Sequence, residues 1–285
     1  MNDVDIEAWV ARAPRGQQGF REAVHIILDG IGHSRNLSAK MVMKGGLLLA
    51  IRYDSSRYTR DLDFSTQDMY SAESAEVLLK ELQAGLVAAE NRLPYGTLCR
   101  LQSHTVQPKG ENKTHHSLAL KIGFASRSHA GQIARLQAGS AARVVEIDYS
   151  FNEVVFDVEV LALDGGASIH SYTLNNVLAE KMRSLLQQPV RRRHRRQDVY
   201  DIWLLLRSGP PLAAEDFAKI YEILLASCDS KGIVPDLHSM ESKDVIAMAR
   251  TGYQDLAADV DEELPPFDEA MAEVMALYRA LSWPR

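Results

Sequence analysis

Two acidic residues alternate with apolar ones in the run Asp61-Leu62-Asp63-Phe64. In an extended segment, both carboxylates would project from one face and both apolar side chains from the other. Neighbouring carboxylates repel each other unless water, a nearby arginine such as Arg57 or Arg60, or a divalent cation compensates their charge. Carboxylate oxygens are ligands that magnesium prefers. The run is therefore a candidate magnesium site, and the alternative is a pair neutralised by solvent or arginine.

A glycine turn lies a short distance before this pair, at Lys44-Gly45-Gly46. The apolar residues 41–43 before it are typical of a buried strand, and Leu47 to Ile51 after it are typical of a helix. Glycine lets the backbone approach a ligand closely, and the free N–H groups of a helix N-terminus attract anions. Phosphate binding beside a metal-binding acidic pair is what nucleotidyl transfer requires. We therefore predict a nucleotidyl-transfer site that binds a nucleoside triphosphate.

Hydrophobic periodicity predicts the elements that position these motifs. Residues 6–33 are expected to form one or two amphipathic helices, and residues 71–91 one long helix. Four strands are expected at 98–106, 117–124, 143–149 and 154–163. A turn at Pro108-Lys109-Gly110 and the segment 126–140 would separate the first three. The succession predicts a meander of neighbouring, mostly antiparallel strands.

A third carboxylate is expected from the strand at 143–149. In Val145-Glu146-Ile147-Asp148-Tyr149 the apolar side chains share one face, and Glu146 and Asp148 share the other. Either acid could join the pair at a metal ion, and we select Asp148. The alternative is an edge strand whose polar face contacts only water.

The sequence pattern changes after the turn at Asp164-Gly165-Gly166, and helices are expected for the rest of the chain. The predicted helices lie at 174–187, 197–206, 216–226, 243–256 and 267–281. We therefore expect two domains. The first is a nucleotidyltransferase core at residues 1–165, and the second is a helical C-terminal domain at residues 166–285.

The composition is that of an ordinary globular chain, with 46% hydrophobic and 25% charged residues among 285. No signal segment and no apolar stretch of membrane-spanning length are found, which predicts a cytoplasmic protein without a membrane partner. Cys99 and Cys228 are too isolated for a disulfide framework or a zinc ribbon. The net charge of −6 conceals an arginine tract at residues 191–196. The tract predicts contact with RNA phosphates or, alternatively, a solvated loop.

Four motifs follow one another along the chain: Lys44-Gly45-Gly46, the run from Arg57 to Phe64, a helical Glu180-Lys181, and the run from Arg196 to Ile202. Together they resemble the AbiEii/AbiGii-type nucleotidyltransferase toxins of bacterial toxin–antitoxin and phage-defence systems. The resemblance implies an α+β fold, with a DNA polymerase β-like core whose mixed or antiparallel sheet is flanked by helices. A helical C-terminal domain would complete the active site. The resemblance also implies Mg²⁺ as cofactor, an NTP as substrate, RNA as acceptor and a cognate antitoxin protein as partner. In some relatives the acceptor is the 3′ end of tRNA.

The resemblance also implies roles for individual residues. The catalytic residues would be Asp61, Asp63, Lys181 and Asp198. The metal ligands would be Asp61 and Asp63, with Asp148 as the third carboxylate selected above. NTP binding would involve Lys44, Gly45, Gly46, Arg57 and Thr59. Family members often carry Thr or Ser after the second glycine, whereas this chain has Leu47, so the backbone N–H groups alone are expected to contact phosphate there.

Two other functions fit the same motifs. The acceptor could be a protein hydroxyl, so that the chain would nucleotidylate a partner or itself. The chain could also be an inactive relative that binds a nucleotide or an antitoxin without catalysis. Against this last function, a decayed site would be expected to lose Asp61 and Asp63 first, and both are present.

Overall fold

The computed structural model describes residues 2–108 and 116–284. The chain divides into two compact units, which we call the sheet unit and the helical unit. The sheet unit comprises Met1–Arg52 and Arg60–Ser171, and the helical unit comprises Tyr53–Thr59 and Tyr172–Arg285. The short segment before the acidic run thus belongs to the helical unit. Within the described residues, no helix is both long enough and apolar enough to cross a membrane.

The sheet unit is built on β1 (Asn2–Val4), β2 (Val42–Lys44), β3 (Asp61–Ser65), β4 (Thr97–Gln107), β5 (Ser117–Ser126), β6 (Val144–Ser150), β7 (Val158–Leu163) and β8 (Ser168–Tyr172). In the part of the chain that the structure describes, these eight strands form one sheet in the order β1-β7-β8-β2-β3-β6-β5-β4. β3 is antiparallel to β2 and parallel to β6, and β6, β5 and β4 are antiparallel neighbours. The predicted mixed sheet is therefore confirmed.

The helices of the sheet unit are α1 (Ile6–Ala11), α2 (Gln18–Gly32), α3 (Arg35–Lys40), α4 (Gly45–Arg52), α5 (Ala72–Arg92) and α6 (Ala130–Gln137). α2 and α5 pack on each other and against β4. Where they cross, a Cβ on Gly30 would lie 2.8 Å from the carbonyl carbon of Gly85. Larger residues at this crossing would separate the two helices. The core beside them contains Val24, Ile27, Leu62, Phe64, Leu82, Leu86 and Ile147, all fully buried.

The helical unit contains α7 (Leu174–Arg191), α8 (Arg196–Ser208), α9 (Ala214–Asp229), α10 (Lys243–Arg250) and α11 (Phe267–Ala280). α7 contacts α8, α9 and α10, and α11 packs against α8. The hydroxyl of Thr173 accepts a hydrogen bond from the backbone N–H of Asn176 and caps α7. Leu178, Met182, Val199, Ile202 and Leu224 are buried between these helices.

Several predicted elements are confirmed. The helices in residues 6–33, the long helix α5, the first three strands of the predicted meander, and the C-terminal helices are present, with ends that move by a few residues. The strand, glycine turn and helix at residues 42–52 are also present. These elements have strong local patterns, which explains why the sequence predicts them. The predicted turn at Pro108-Lys109-Gly110 lies, apart from Pro108, outside the described residues.

Other predictions are wrong. The fourth strand does not continue the meander, because β7 pairs with β1 and neighbours β8. Residues 168–172 form a strand where only helices were expected, since five residues are too few to give a clear pattern. Helix α6 lies in the segment predicted to be a connection. The helix predicted at 243–256 ends at Arg250, and Gly252 has φ +70°, which a regular helix does not allow.

Candidate active site

The acidic run forms β3, and the strand register places its two carboxylates beside two others. Asp63 pairs with Asp148 of β6, and Asp61 pairs with Glu146. Residues paired in neighbouring strands point to the same side of a sheet, so all four acids share one face. The opposite face carries buried apolar side chains such as Phe64. The predicted one-sided acidic pair is thus present, and its direct neighbour in the ladder is Asp148.

The glycine turn meets β3 at Asp63. β2 ends at Lys44, which pairs with Asp63 across the antiparallel ladder, and α4 begins directly afterwards at Gly45. Gly45 has φ +78°, and a Cβ there would overlap the Asp63 carboxylate, with the Cγ atom only 2.7 Å away. Glycine is required at this position because a side chain would face both an unfavourable backbone conformation and this overlap. The turn and one metal-ligand candidate are therefore in direct proximity.

Two carboxylates on this sheet face, those of Asp61 and Asp148, are destabilised as anions. The pKa of Asp61 is raised, first by loss of surrounding water and then by the charges of Glu146 and Asp148, while Arg60 opposes the increase. Loss of surrounding water also raises the pKa of Asp148, against the opposing charge of Lys44. A raised carboxyl pKa means that the ionised form costs free energy in its surroundings. A cation bound at this face would lower that cost.

Glu146 already has a counter-charge. One of its carboxylate oxygens lies 3.0 Å from Nζ of Lys121, its cross-strand neighbour on β5. Both side chains are about half exposed, as expected for the wet strand face considered as an alternative. Asp148 instead lies opposite the uncharged Ala119 on β5. Of the two candidates for a third carboxylate, Asp148 is the better placed, and its role as a ligand stays a prediction.

The donor set of this face fits magnesium. Across residues 2–108 and 116–284, no three His, Cys, Asp or Glu side chains are grouped closely enough to hold a metal ion. Magnesium, however, usually keeps several waters and is held by one or two carboxylates together with substrate phosphates. Asp61 and Asp63 supply two such carboxylates beside the turn, and Asp148 is next in the ladder. The residues therefore suit a metal that is bound together with a triphosphate.

Four charged side chains form a second group, the buried ion cluster, within the helical unit. Arg57 donates from Nε and Nη2 to the two carboxylate oxygens of Asp201, at 2.8 and 3.0 Å. Lys181 of α7 donates to Asp201 at 2.6 Å and to Oδ1 of Asp198 at 3.0 Å. The Asp201 side chain is fully buried, and the other three are at most 14% exposed. Asp198 and Asp201 are three residues apart on α8, so that both reach Lys181.

Opposite charges in the buried ion cluster favour the ionised forms of Asp201 and Lys181. Burial alone would raise the pKa of Asp201, but Lys181 and Arg57 outweigh it, and the pKa is lowered. Burial alone would lower the pKa of Lys181, but Asp201 and Asp198 reverse the effect, and the pKa is raised. The second oxygen of Asp198, Oδ2, is buried without a hydrogen-bond partner among the described residues. This oxygen remains available to a water molecule or a ligand donor.

The structure sorts the candidate residues into two groups. Those in the sheet unit are Lys44, Gly45, Gly46, Asp61, Asp63 and Asp148, and those in the helical unit are Arg57, Thr59, Lys181 and Asp198. The guanidinium of Arg57, considered as a partner of the acidic pair, is bound by Asp201. Sequence reasoning gave Asp201 no role, although its helical spacing from Asp198 was a usable signal. The catalytic and binding roles of all these residues stay predictions.

The arginine tract joins α7 to α8. α7 ends at Arg191, Arg192 adopts a left-handed conformation with φ 51°, and α8 begins at Arg196. The side chains of residues 191–194 are exposed. Loss of water and the charges of neighbouring arginines lower the pKa of Arg195, although Asp198 opposes the change. The tract is a concentration of exposed positive charge, which is compatible with both RNA contact and a solvated loop.

Known proteins resemble the chain over most of its length. The crystal structure of JHP933 from Helicobacter pylori has a TM-score of 0.51 at 12% sequence identity, covering 93% of this chain and 91% of that one. A second H. pylori structure, described as a candidate nucleotidyltransferase, has a TM-score of 0.46 at 12% identity, covering 94% and 95%. No curated protein sequence matches the chain. Residues 28–273 match the family described as nucleotidyl transferase AbiEii toxin, type IV TA system. The match includes the glycine turn, the acidic strand and the buried ion cluster, and the chain therefore belongs to the AbiEii family of nucleotidyl transferase toxins.

Proposed function

We propose that this nucleotidyltransferase uses magnesium to transfer a nucleotide from an NTP to RNA, at the 3′ end of tRNA. The observation that carries the proposal is the Asp63 carboxylate placed against Gly45, with Asp61 and Asp148 on the same sheet face. A phosphate-binding turn and metal-binding carboxylates must be adjacent, because the metal contacts protein and phosphate together. Family membership supplies the activity class and implies an antitoxin as partner.

The sheet unit would position the triphosphate. Backbone N–H groups at the start of α4 would donate to phosphate oxygens, since Gly45 leaves the approach to the turn open. Asp61 and Asp63, with Asp148 beside them, would hold magnesium, which when bound neutralises phosphate charge and favours the ionised form of the attacking hydroxyl. The raised pKa of Asp61 supports this role, because its carboxylate is destabilised until a cation compensates it.

Lys181 and Asp198 are proposed to act in the same reaction, with the Lys181 ammonium as a point charge for the triphosphate. This role is supported by the burial of Lys181, whose ammonium group stays ionised because Asp198 and Asp201 raise its pKa. An ordinary lysine lies at the surface, where water solvates its charge. Asp198 and Asp201 hold the ammonium group by hydrogen bonds of 3.0 and 2.6 Å. The proposed NTP contacts of Arg57 and Thr59 rest on the family resemblance. The bidentate pair between Arg57 and Asp201 favours a positioning role for Arg57.

RNA is the acceptor class that the charge distribution favours. The whole chain carries a net charge of −6, yet exposed arginines are concentrated at residues 191–193. Binding to a nucleic-acid backbone depends on such local groups of Lys and Arg more than on the net charge of the protein. The tRNA acceptor implies that the toxin acts in the cytoplasm, which is part of this proposal.

The proposal is tested by incubating the purified protein with total tRNA, magnesium and each of the four labelled NTPs in turn. We expect label in the tRNA with at least one NTP, and none after magnesium is chelated. Asp61→Asn and Asp63→Asn should reduce labelling to background. Asp229→Asn, which neutralises an exposed aspartate at the end of α9, should label tRNA at the wild-type rate. A folded wild-type protein that labels no RNA with any NTP would contradict the proposal.

The acceptor group is identified in the same assay. Periodate cleaves the 2′,3′-diol at the end of tRNA, so oxidised tRNA should accept no label if the 3′ end is the acceptor. Label on oxidised tRNA would place the acceptor elsewhere in the RNA. Label on protein and none on RNA would support the protein-hydroxyl alternative. The role of Lys181 is tested by the rate of tRNA labelling, which Lys181→Met should lower. Lys80→Met, on the exposed face of α5, is the control and should label tRNA at the wild-type rate.

A further inference from the structure

A cavity of about 610 Å³ opens in the sheet unit where β5 and β6 are joined through α6, and we call it the α6 cavity. Its size lies within the range of small-ligand sites in proteins, roughly 300 to 1,000 Å³. Small residues of α6 and of the chain before β6 form much of its wall. The side chains that could recognise a ligand are Phe124, His129, Gln132, Arg135 and Arg143.

The α6 cavity lies in a basic part of an acidic chain. The chain contains 38 acidic residues among 285, but none of them falls between residues 116 and 145. The same stretch contains Lys121, Arg127, Arg135 and Arg143. None of the residues that line the cavity is acidic. A cavity whose wall carries arginines and no acidic side chain attracts anionic ligands, and it can do so even when the whole protein is negatively charged.

Arg143 is held ready to contact a ligand. Its Nη2 atom donates to Oε1 of Gln132 at 2.8 Å, and Gln132 is itself fixed by a hydrogen bond from the backbone N–H of Ser126 at 3.3 Å. The guanidinium carbon lies 4.9 Å from the centre of the Phe124 ring. Arginine offers five N–H donors, so others remain for phosphate, and its planar face can stack on a base. Arg135 and His129 are exposed at the same cavity.

The α6 cavity is separate from the acidic sheet face. Arg143 directly precedes β6, and Asp148 lies five residues later in the chain. Five extended residues span about 16 Å. A base that stacks on the Arg143 guanidinium therefore lies at a distance from Asp61, Asp63 and Asp148. It can belong to the same strand of RNA, at a position some nucleotides away from the reacting end.

We propose that the α6 cavity binds a nucleotide of the acceptor RNA at a distance from its reacting end. Arg135 and Arg143 contact phosphate, and the Arg143 guanidinium, supported by Phe124, stacks on the base. The inference rests on the proposed RNA acceptor and deepens it, because it gives the sheet unit its own RNA-binding site. Recognition of a nucleotide by base stacking and phosphate contact suits single-stranded RNA, in which the bases are accessible.

The test is a titration of labelled tRNA at several salt concentrations, which requires no catalysis. The variant is the pair Arg135→Gln and Arg143→Gln, and the control is the pair Arg15→Gln and Arg35→Gln, which removes equal charge from exposed positions outside the cavity. We expect the cavity variant to bind tRNA about tenfold more weakly. The slope of log affinity against log salt should fall by about 1.4 to 1.8, the value for two lost phosphate contacts. Equal slopes for the cavity variant and the control pair would overturn the inference.

A second variant adds a negative charge and leaves both arginines in place. Gly131 lines the α6 cavity, and a Cβ there meets no atom within 4 Å, so Gly131→Glu should fold. Its control is Ala88→Glu, at an exposed position of α5. We expect weaker tRNA binding for Gly131→Glu only. An equal loss of affinity for free ATP would assign the cavity to NTP and would overturn the RNA assignment. Because binding is measured directly, a toxin that binds tRNA through this cavity but labels no RNA would refute the proposed reaction and leave the inference standing.

Discussion

Replacing Asp201 by asparagine should destabilise the protein strongly, because its carboxylate contacts both buried cations and its loss leaves Asp198 as the only anion of the cluster. Asp201 is fully buried and receives hydrogen bonds from Arg57 at 2.8 and 3.0 Å and from Lys181 at 2.6 Å. Removing one partner of a buried ion pair typically costs about 3–5 kcal/mol, since the remaining charge is left without compensation. Asn has nearly the size of Asp, so the loss measures charge and not a cavity. We expect a decrease of this size in the free energy of unfolding.

The assay is urea unfolding followed by circular dichroism at neutral pH. Asp229→Asn, at an exposed position, serves as the control and should change the free energy of unfolding by no more than about 0.5 kcal/mol. Adding Lys181→Met to Asp201→Asn should recover part of the loss, because it leaves one cation, Arg57, and one anion, Asp198, in the cluster. A loss below about 1 kcal/mol for Asp201→Asn, or strict additivity in the double variant, would refute the charge-balance reasoning.

The same variant should change the acid limb of the stability profile. The pKa of Asp201 is lowered below its ordinary value of 3.8, so its contribution to stability is fully present above that value. The contribution is lost as pH falls below 3.8 through the lower folded-state pKa, where the native carboxylate takes up a proton. The wild type should therefore lose more stability than Asp201→Asn in this acidic range. Parallel profiles for the two proteins below pH 3.8 would contradict the lowered pKa.

Three further predictions concern the acidic face and the arginine tract. Gly45→Ala should lower the rate of nucleotide transfer by about 100-fold, because the added Cβ displaces the Asp63 carboxylate. Gly96→Ala is the control and should leave the rate unchanged, since a Cβ there meets open space. Equal rates for the two variants would contradict the role of the turn. Asp61→Asn should raise the melting temperature in metal-free buffer, because the raised pKa of Asp61 means that its negative charge destabilises the fold at pH values above the ordinary pKa of 3.8. The gain should be at most about 1 kcal/mol, since Asp61 is exposed and water screens its charge. A lower melting temperature for the variant would contradict this sign. Changing the arginines at 191–193 to glutamine should lower the salt slope of tRNA binding by about 2.1 to 2.7, and an unchanged slope would identify a solvated loop.

Patterns carried by neighbouring residues made part of this fold predictable. The alternation in Asp61 to Phe64 fixes opposite faces for acids and apolar residues, and the two glycines after Lys44 mark the end of a strand. The long helix α5 has enough turns for its apolar stripe to be recognised. Helix α6 and strand β8 have only eight and five residues, which gives a periodic pattern too little length. Their conformation is decided by the sheet against which they form.

Other features depend on which distant segments meet. The pairing of β7 with β1 and not with β6 follows from burying apolar faces in one sheet, and no local signal states it. Lys181 resembles an ordinary polar residue of an amphipathic helix until its burial beside Asp201 is known. Arg57 and Asp201 are 144 positions apart in the chain. Charge balance of this kind can be recognised only once the partners have been brought together.

The sequence by itself determined that a glycine turn precedes two carboxylates on one strand face, because period-two alternation and the freedom of glycine are properties of adjacent residues. It also determined the family, through the order of its motifs. The tertiary structure decided that Asp148 is the neighbour of Asp63, that Asp63 lies against Gly45, and that Asp201 binds Arg57 and Lys181. The physical reason is that strand register and buried ion pairs are set by the burial of surfaces from distant segments, and their free energy exists only in the assembled fold.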